Sequence, residues 1–450
     1  MQKHSCSYRY FILSISALML SGLLAAIIAT ARIPGLNELI NDPQFSKKCL
    51  IIHVNLALGI WLHAFLATLF FLLPKNKTKN ETLIKILFLF SFLGVLLMTS
   101  SIFFKNANPI LSNYVPTIDH PIFLVGIATF ALTLTFSYSI SGRFFTNLKS
   151  NIIPIQAVFG LKCTALSFIF SIICVFISFI LTPKTLISES YYEFIFWGPG
   201  HLLQICSQIG MLSAWIILLT KILGFCPINI KLAKIIFSLL LLSSFIGLFL
   251  PFSGTTSNLY YTGSTVLMKF GILPSVLIFL IIITPKLFIE KKRLFNSQYF
   301  NGFLASLSLS LLGYILGFSI NEQNTLIPAH YHAAIGGVTV AFMTTAFWLC
   351  ELFKLNIKNK HKEIKFARLQ PLFFGIGQFI FVIGFSYAGI HGAARKSFGT
   401  EQNINSLSEM IGLITMGIGG GIAIIGGILF LYIFSKKLLT ILCCKCQNSK

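Results

Sequence analysis

Residues 326–351 read LIPAHYHAAIGGVTVAFMTTAFWLCE. The run is apolar and long enough to cross a bilayer, yet it opens on two imidazoles, His330 and His332. At about 100° per residue, positions i and i+2 point to opposite sides of a helix. Two histidines on one face would suit one shared metal; two on opposite faces suit two separate ligands. Gly336 and Gly337 follow one turn later, and residues this small let something flat or bulky approach the backbone. A pair of interfacial histidines hydrogen-bonded near a helix end would show the same pattern, so the rest of the chain must decide.

The composition sets the class. Of 450 residues, 56% are hydrophobic and 10% charged, with a mean hydropathy of +0.85. No soluble domain tolerates that balance, so an all-α polytopic membrane protein is expected. The net charge of +22 does not point to nucleic acid, because the basic residues sit in short blocks between apolar runs, as a membrane topology signal does. The ten cysteines are scattered, mostly inside apolar runs, and read as buried apolar residues. The cluster Cys443-Cys444-Lys445-Cys446 reads as a juxtamembrane tail.

Reading apolar runs of roughly 20 residues as helices gives twelve spans in a single membrane domain, 1–450. They cover 8–31, 49–73, 83–104, 119–141, 158–181, 194–220, 231–252, 262–285, 300–320, 326–351, 370–392 and 407–435. The first lacks a small-residue cleavage site and is read as a retained span. Of the 34 Lys and Arg, only Arg32, Lys47, Lys48, Lys105, Lys184, Arg395 and Lys396 fall in loops after odd-numbered spans. Both termini are therefore expected in the cytoplasm.

On that topology His53, His201, His330 and His332 all lie in the outer half of the bilayer, on spans that enter from outside. Ionisable groups at such depth usually face a cofactor, a cavity or a partner. One histidine from each of two helices is what a bis-imidazole haem requires.

The chain resembles subunit I of the haem-copper oxidase superfamily along nearly its whole length. Asp42-Pro43-Gln44-Phe45 followed by Ile51-Ile52-His53 is similar to the family's approach to its low-spin haem ligand. His330-Tyr331-His332 resembles the family's His-aromatic-His, and Gly392-Ala393-Ala394-Arg395-Lys396 its Gly-x-Pro-Arg-Arg element. The resemblance implies two haems. His53 and His332 would share the low-spin haem, His330 would bind the high-spin haem, and Arg395 and Lys396 would hold propionates. It also implies a bacterial-type inner membrane, companion respiratory subunits and an electron donor such as cytochrome c or quinol. Membrane lipid is an expected partner and nucleic acid is not.

The departures concern copper. The family takes one copper ligand from span 6, matched by His201, and a His-His pair from span 7, which here holds no histidine. A tyrosine found in many members is Ile205 here, and a carboxylate is Leu203. Four residues after Pro274, where many members carry a proton-channel lysine, stands Ile278. A copper site needs several nitrogen ligands, so full copper ligation is not expected and dioxygen turnover stays open. Three roles are open to His201: a residual metal ligand, a cap on the distal face of the second haem, or a hydrogen bond with Gln204 or Gln208. A degenerate haem protein that binds a gas or passes electrons is the alternative to an oxidase. A twelve-span secondary transporter is a further one, although inverted repeats and broken helices are not evident.

Overall fold

The computed structural model describes residues 5–40, 42–75, 80–146, 149–289, 294, 297–320, 324–355, 360–396 and 403–447. Among these residues, twelve helices are long and apolar enough to cross a membrane. Numbered in chain order as spans 1 to 12, they are Ser5–Thr30, Pro43–Phe70, Glu81–Phe103, Pro121–Phe145, Ile155–Leu181, Ser188–Leu223, Ile230–Ser253, Asn258–Ile289, Gln298–Phe318, Leu326–Leu352, Ile364–Ile390 and Leu407–Ser435. A helix satisfies all its backbone hydrogen bonds internally, which is why apolar length alone reveals these elements.

Some ends differ from the hydropathy reading. Span 2 begins at Pro43, six residues before the apolar run at 49. Asp42 caps it, its carboxylate accepting from Gln44 N at 2.9 Å, and proline suits the first helical position because its missing N–H would go unused. Lys48, which delayed the hydropathy signal, is buried and donates to Phe104 O at 2.8 Å. Span 4 begins similarly, with His120 Nδ1 accepting from Ile122 N and Pro121 at the first position.

The connection between spans 3 and 4 carries a short antiparallel hairpin. Strand β1 (Asn108–Ile110) pairs with β2 (Thr117–Asp119) in the register Asn108 to Asp119 and Ile110 to Thr117. Its tip, residues 111–116, becomes important below.

The chain divides into two compact units. One comprises Met1–Ser21, Lys47–Ile217 and Cys226–Ile289; the other comprises Gly22–Ser46, Leu218–Phe225 and Glu290–Lys450. Inside the first, serine and threonine hydroxyls join neighbouring spans: Ser91 to Thr133 at 2.7 Å and Ser167 to Ser244 at 2.8 Å. Such interhelical bonds within a bilayer are worth on the order of 0.6 kcal/mol each. Lys162, inside span 5, turns its ammonium to the carbonyls of Phe144 and Thr146 at 3.2 and 2.6 Å, so this charge stays satisfied without an acidic partner.

Inside the second unit, span 9 packs on span 10. A Cβ at Gly337 would lie 2.3 Å from Ser310 Oγ and 3.0 Å from Ser306 O, and Ser306 Oγ donates to Gly337 O at 2.6 Å. At Gly337 the small residue thus admits a neighbouring helix.

Burial separates the spans sharply. The central windows of spans 6 and 10 are 89% buried, against 28% for spans 3 and 8. The two most enclosed helices are those that carry His201 and the His330-Tyr331-His332 run.

Candidate functional site

His53 lies in the first half of span 2 and is half-buried. Its Nδ1 is 2.9 Å from Ser21 O and 3.0 Å from Ser21 Oγ. A carbonyl can only accept, so Nδ1 carries the proton and Nε2 the lone pair. Among the described residues Nε2 makes no hydrogen bond. Ser21 Oγ in turn donates to His53 O at 3.2 Å. Metal-ligating histidines are held in this way, with the far nitrogen donating to a backbone carbonyl that fixes tautomer and ring plane.

Directly after His53 the helix widens into a π segment, Asn55–Trp61. Such segments leave a carbonyl out of the α ladder. Asn55 Nδ2 takes up Ile51 O at 2.9 Å and also donates to Pro116 O at 2.7 Å. One amide therefore closes the helix irregularity and fastens the 108–119 hairpin to span 2. His63, two residues beyond the segment, is buried against Phe168 at 5.0 Å between ring centroids. Its Nδ1 pairs with Gly59 O at 2.8 Å, and among the described residues its Nε2 has no hydrogen-bond partner.

In the second unit the two imidazoles of span 10 turn to different neighbours. His330 Nδ1 pairs with Gly313 O of span 9 at 2.7 Å, which again assigns the proton to Nδ1 and the lone pair to Nε2. His332 lies 4.3 Å from the Phe381 ring of span 11 and 6.4 Å from Phe385.

The segment after span 11 crosses the start of span 10. Thr325 N donates to Ala393 O at 3.2 Å, and Ala394 forms an isolated bridge with Asn324. Arg395 and Lys396 are half-buried there, with Lys396 in the left-handed region at φ 68°. Arg32 joins them from the connection after span 1, donating to Ala394 O at 3.1 Å with its guanidinium 5.2 Å from the Phe385 ring centre. Burial pushes the Arg32 guanidinium down to about 10, so it remains a cation at neutral pH. Three cations on one backbone segment suit carboxylate groups. Sequence reading treated Arg32 as a loop charge; its separation from Arg395 in the chain left no local signal.

His201 has a different environment. It is 1% exposed, and both ring nitrogens are engaged. Nδ1 is 2.7 Å from Trp197 O, and Nε2 is 2.8 Å from Tyr114 Oη at the hairpin tip. Since Trp197 O must accept, Nδ1 donates, and Nε2 accepts the phenol proton. Neither Gln204 nor Gln208 is the partner; the tyrosine is. The backbone around it is shaped for this packing. Tyr260 Oη donates to Phe194 O at 2.8 Å and accepts from Gly198 N at 2.9 Å, inserting itself into the i to i−4 ladder just before Pro199. Trp197 stacks on Tyr261 at 3.8 Å and meets the Tyr114 ring edge-on at 5.3 Å. Among the described residues no three His, Cys, Asp or Glu side chains converge on a common point.

The donor sets can be compared with the groups implied above. In the first unit the held Nδ1 and lone-pair Nε2 of His53 suit a haem iron; in the second, His330 Nδ1 is held in the same way and Arg395 and Lys396 suit propionates. The His201 ring, with both nitrogens satisfied, does not fit copper.

The fold is that of an all-α, multi-pass membrane protein with twelve spanning helices among the described residues. The family model described as cytochrome c and quinol oxidase polypeptide I matches residues 5–423, and the chain belongs to that family. It is 28% identical over 495 residues to an uncharacterized protein of Rickettsia prowazekii, across 95% of this chain and 94% of the relative. An uncharacterized protein of Aquifex aeolicus is 29% identical, across 81% of this chain and 90% of its own length. Among solved structures, a heme-copper terminal oxidase dimer matches with a TM-score of 0.70 at 18% identity, covering 97% of this chain and 84% of that one. That likeness concerns the fold. The transporter alternative gains no support from any of these.

Proposed function

We propose that this protein is the haem-binding, subunit I-like member of a respiratory membrane complex, carrying electrons from a low-spin to a high-spin haem. The observation that supports it most is the family match over residues 5–423 together with the His330-Tyr331-His332 run at the start of span 10. Bound haem supplies a reversible one-electron couple whose potential follows its axial ligands and surroundings. By the family resemblance, His53 and His332 would hold the low-spin haem and His330 the high-spin haem. Ser21 fixes the plane of the His53 ring, and Phe381 packs against that of His332. Arg395 and Lys396, with Arg32 beside them, would hold the propionates. The electron donor is a cytochrome c or a quinol, the setting a bacterial-type inner membrane with both termini in the cytoplasm.

Within this reading, a haem protein without oxidase turnover is favoured over a dioxygen-reducing one, because His201 has no ring nitrogen left for copper. The test is a reduced-minus-oxidised spectrum with haem and metal quantification on the purified chain. A low-spin and a high-spin haem are expected. A colourless protein from haem-replete cells ends the proposal.

A further inference from the structure

We infer that the span-6 position at which the family resemblance places a copper ligand is closed by Tyr114, with His201 serving as the acceptor of a phenol hydrogen bond. The inference does not depend on the haem proposal.

Three observations carry it. First, His201 is saturated. An imidazole offers two nitrogens; Trp197 O takes the proton of one and the Tyr114 hydroxyl takes the lone pair of the other. A metal at Nε2 would have to displace the phenol, and the ring is 1% exposed, so water does not stand ready to receive it.

Second, the tyrosine is held in place from several sides. Asn55 fastens Pro116 at 2.7 Å. Glu193 accepts from Asn113 N at 2.8 Å and from the Asn113 side-chain amide. Tyr192 Oη donates to Asp119 at 2.7 Å. These bonds flank Tyr114 on both sides in sequence and tie the hairpin tip to spans 2 and 6. The seat itself exists because residue 200 is glycine: a Cβ there would lie 2.2 Å from Tyr114 Cβ.

Third, the face of span 7 toward span 6 is filled by packing. A Cβ at Gly247 would lie 2.6 Å from Leu202 Cδ1, so a leucine of span 6 packs directly on the span-7 backbone. Span 7 offers no nitrogen ligand toward His201. The site is a hydrogen-bonded aromatic plug.

The experiment uses the full-length chain purified from copper-replete cells, then challenged with Cu(I) and washed. Copper is quantified, and thermal unfolding is followed for wild type, Tyr114→Phe, His201→Ala and the double variant. Wild type is expected to hold no stoichiometric copper. Each single substitution should lower Tm by several degrees, and the double variant should melt no lower than His201→Ala, since that substitution already removes the bond that Tyr114→Phe would remove. His201→Gln, whose amide oxygen can still accept from the phenol, supplies the measurement if His201→Ala does not fold, and should melt closer to wild type. Stoichiometric copper in wild type that disappears with His201 overturns the inference. Additive losses, or a Tyr114→Phe protein as stable as wild type, overturn it equally.

Discussion

His53 and His201 are two histidines of one compact unit, each anchored through Nδ1 to a backbone carbonyl, and they differ in what meets Nε2. At His53 the carbonyl of Ser21 holds one side of the ring and no described residue hydrogen-bonds the other. At His201 a phenol delivered by the connection between spans 3 and 4 closes the second side. The first is an oriented imidazole whose lone pair suits the proposed haem; the second is a satisfied interior residue. Anchoring alone does not mark a ligand histidine. What meets the second nitrogen separates these two: His201 is part of the packing, and His53 keeps the geometry that the proposed role requires.

The largest effect expected from this contrast is spectroscopic. His53→Ala should abolish the low-spin haem signal in reduced-minus-oxidised spectra, whereas His201→Ala should leave haem content at the wild-type level. Equal losses from both would erase the distinction. Next, His330→Ala should remove the high-spin component while the low-spin signal survives, because the proposed axial pair does not include it. Haem quantified per chain, combined with carbon monoxide difference spectra, reads this directly; simultaneous loss of both signals would mean that His330 supports the fold instead.

Smaller effects fall on stability. Gly200→Ala forces a methyl against Tyr114, an overpacking expected to cost about 1–3 kcal/mol in unfolding measurements. Tyr114→Phe leaves a buried imidazole nitrogen without its donor, with a similar cost of about 1–3 kcal/mol. The smallest change belongs to Ser21→Ala. It removes the hydroxyl but keeps the carbonyl that accepts from His53, so about 0.5–1.5 kcal/mol and a slightly broadened low-spin band are expected. A complete loss of the band would assign the orienting role to the hydroxyl.

The legible and illegible parts of this chain follow one physical division. Twelve spans could be read directly, because in lipid an apolar run must satisfy its own backbone and therefore forms a helix. The divergence of His330 and His332 was also readable, since two positions on one helix are related by helical geometry alone; the structure sets one against span 9 and the other against span 11. The start of span 2 was read late because Lys47 and Lys48 lowered the hydropathy, whereas the Asp42-Pro43 cap sets the helix end. The glycines after His332 were read as room for a bulky neighbour, and at Gly337 the neighbour is Ser310 of span 9. Nothing around Tyr114 announced its role, because its partner lies three spans later in the chain.

By itself, then, the sequence determined an all-α membrane chain of twelve spans and the helices that carry its imidazoles, since hydropathy and helical phase are local properties. Only the tertiary structure decided which imidazole nitrogens are already taken. Ser21 O for His53, Gly313 O for His330 and Tyr114 for His201 are partners brought by folding, and a hydrogen bond depends on distances in space that no local pattern encodes.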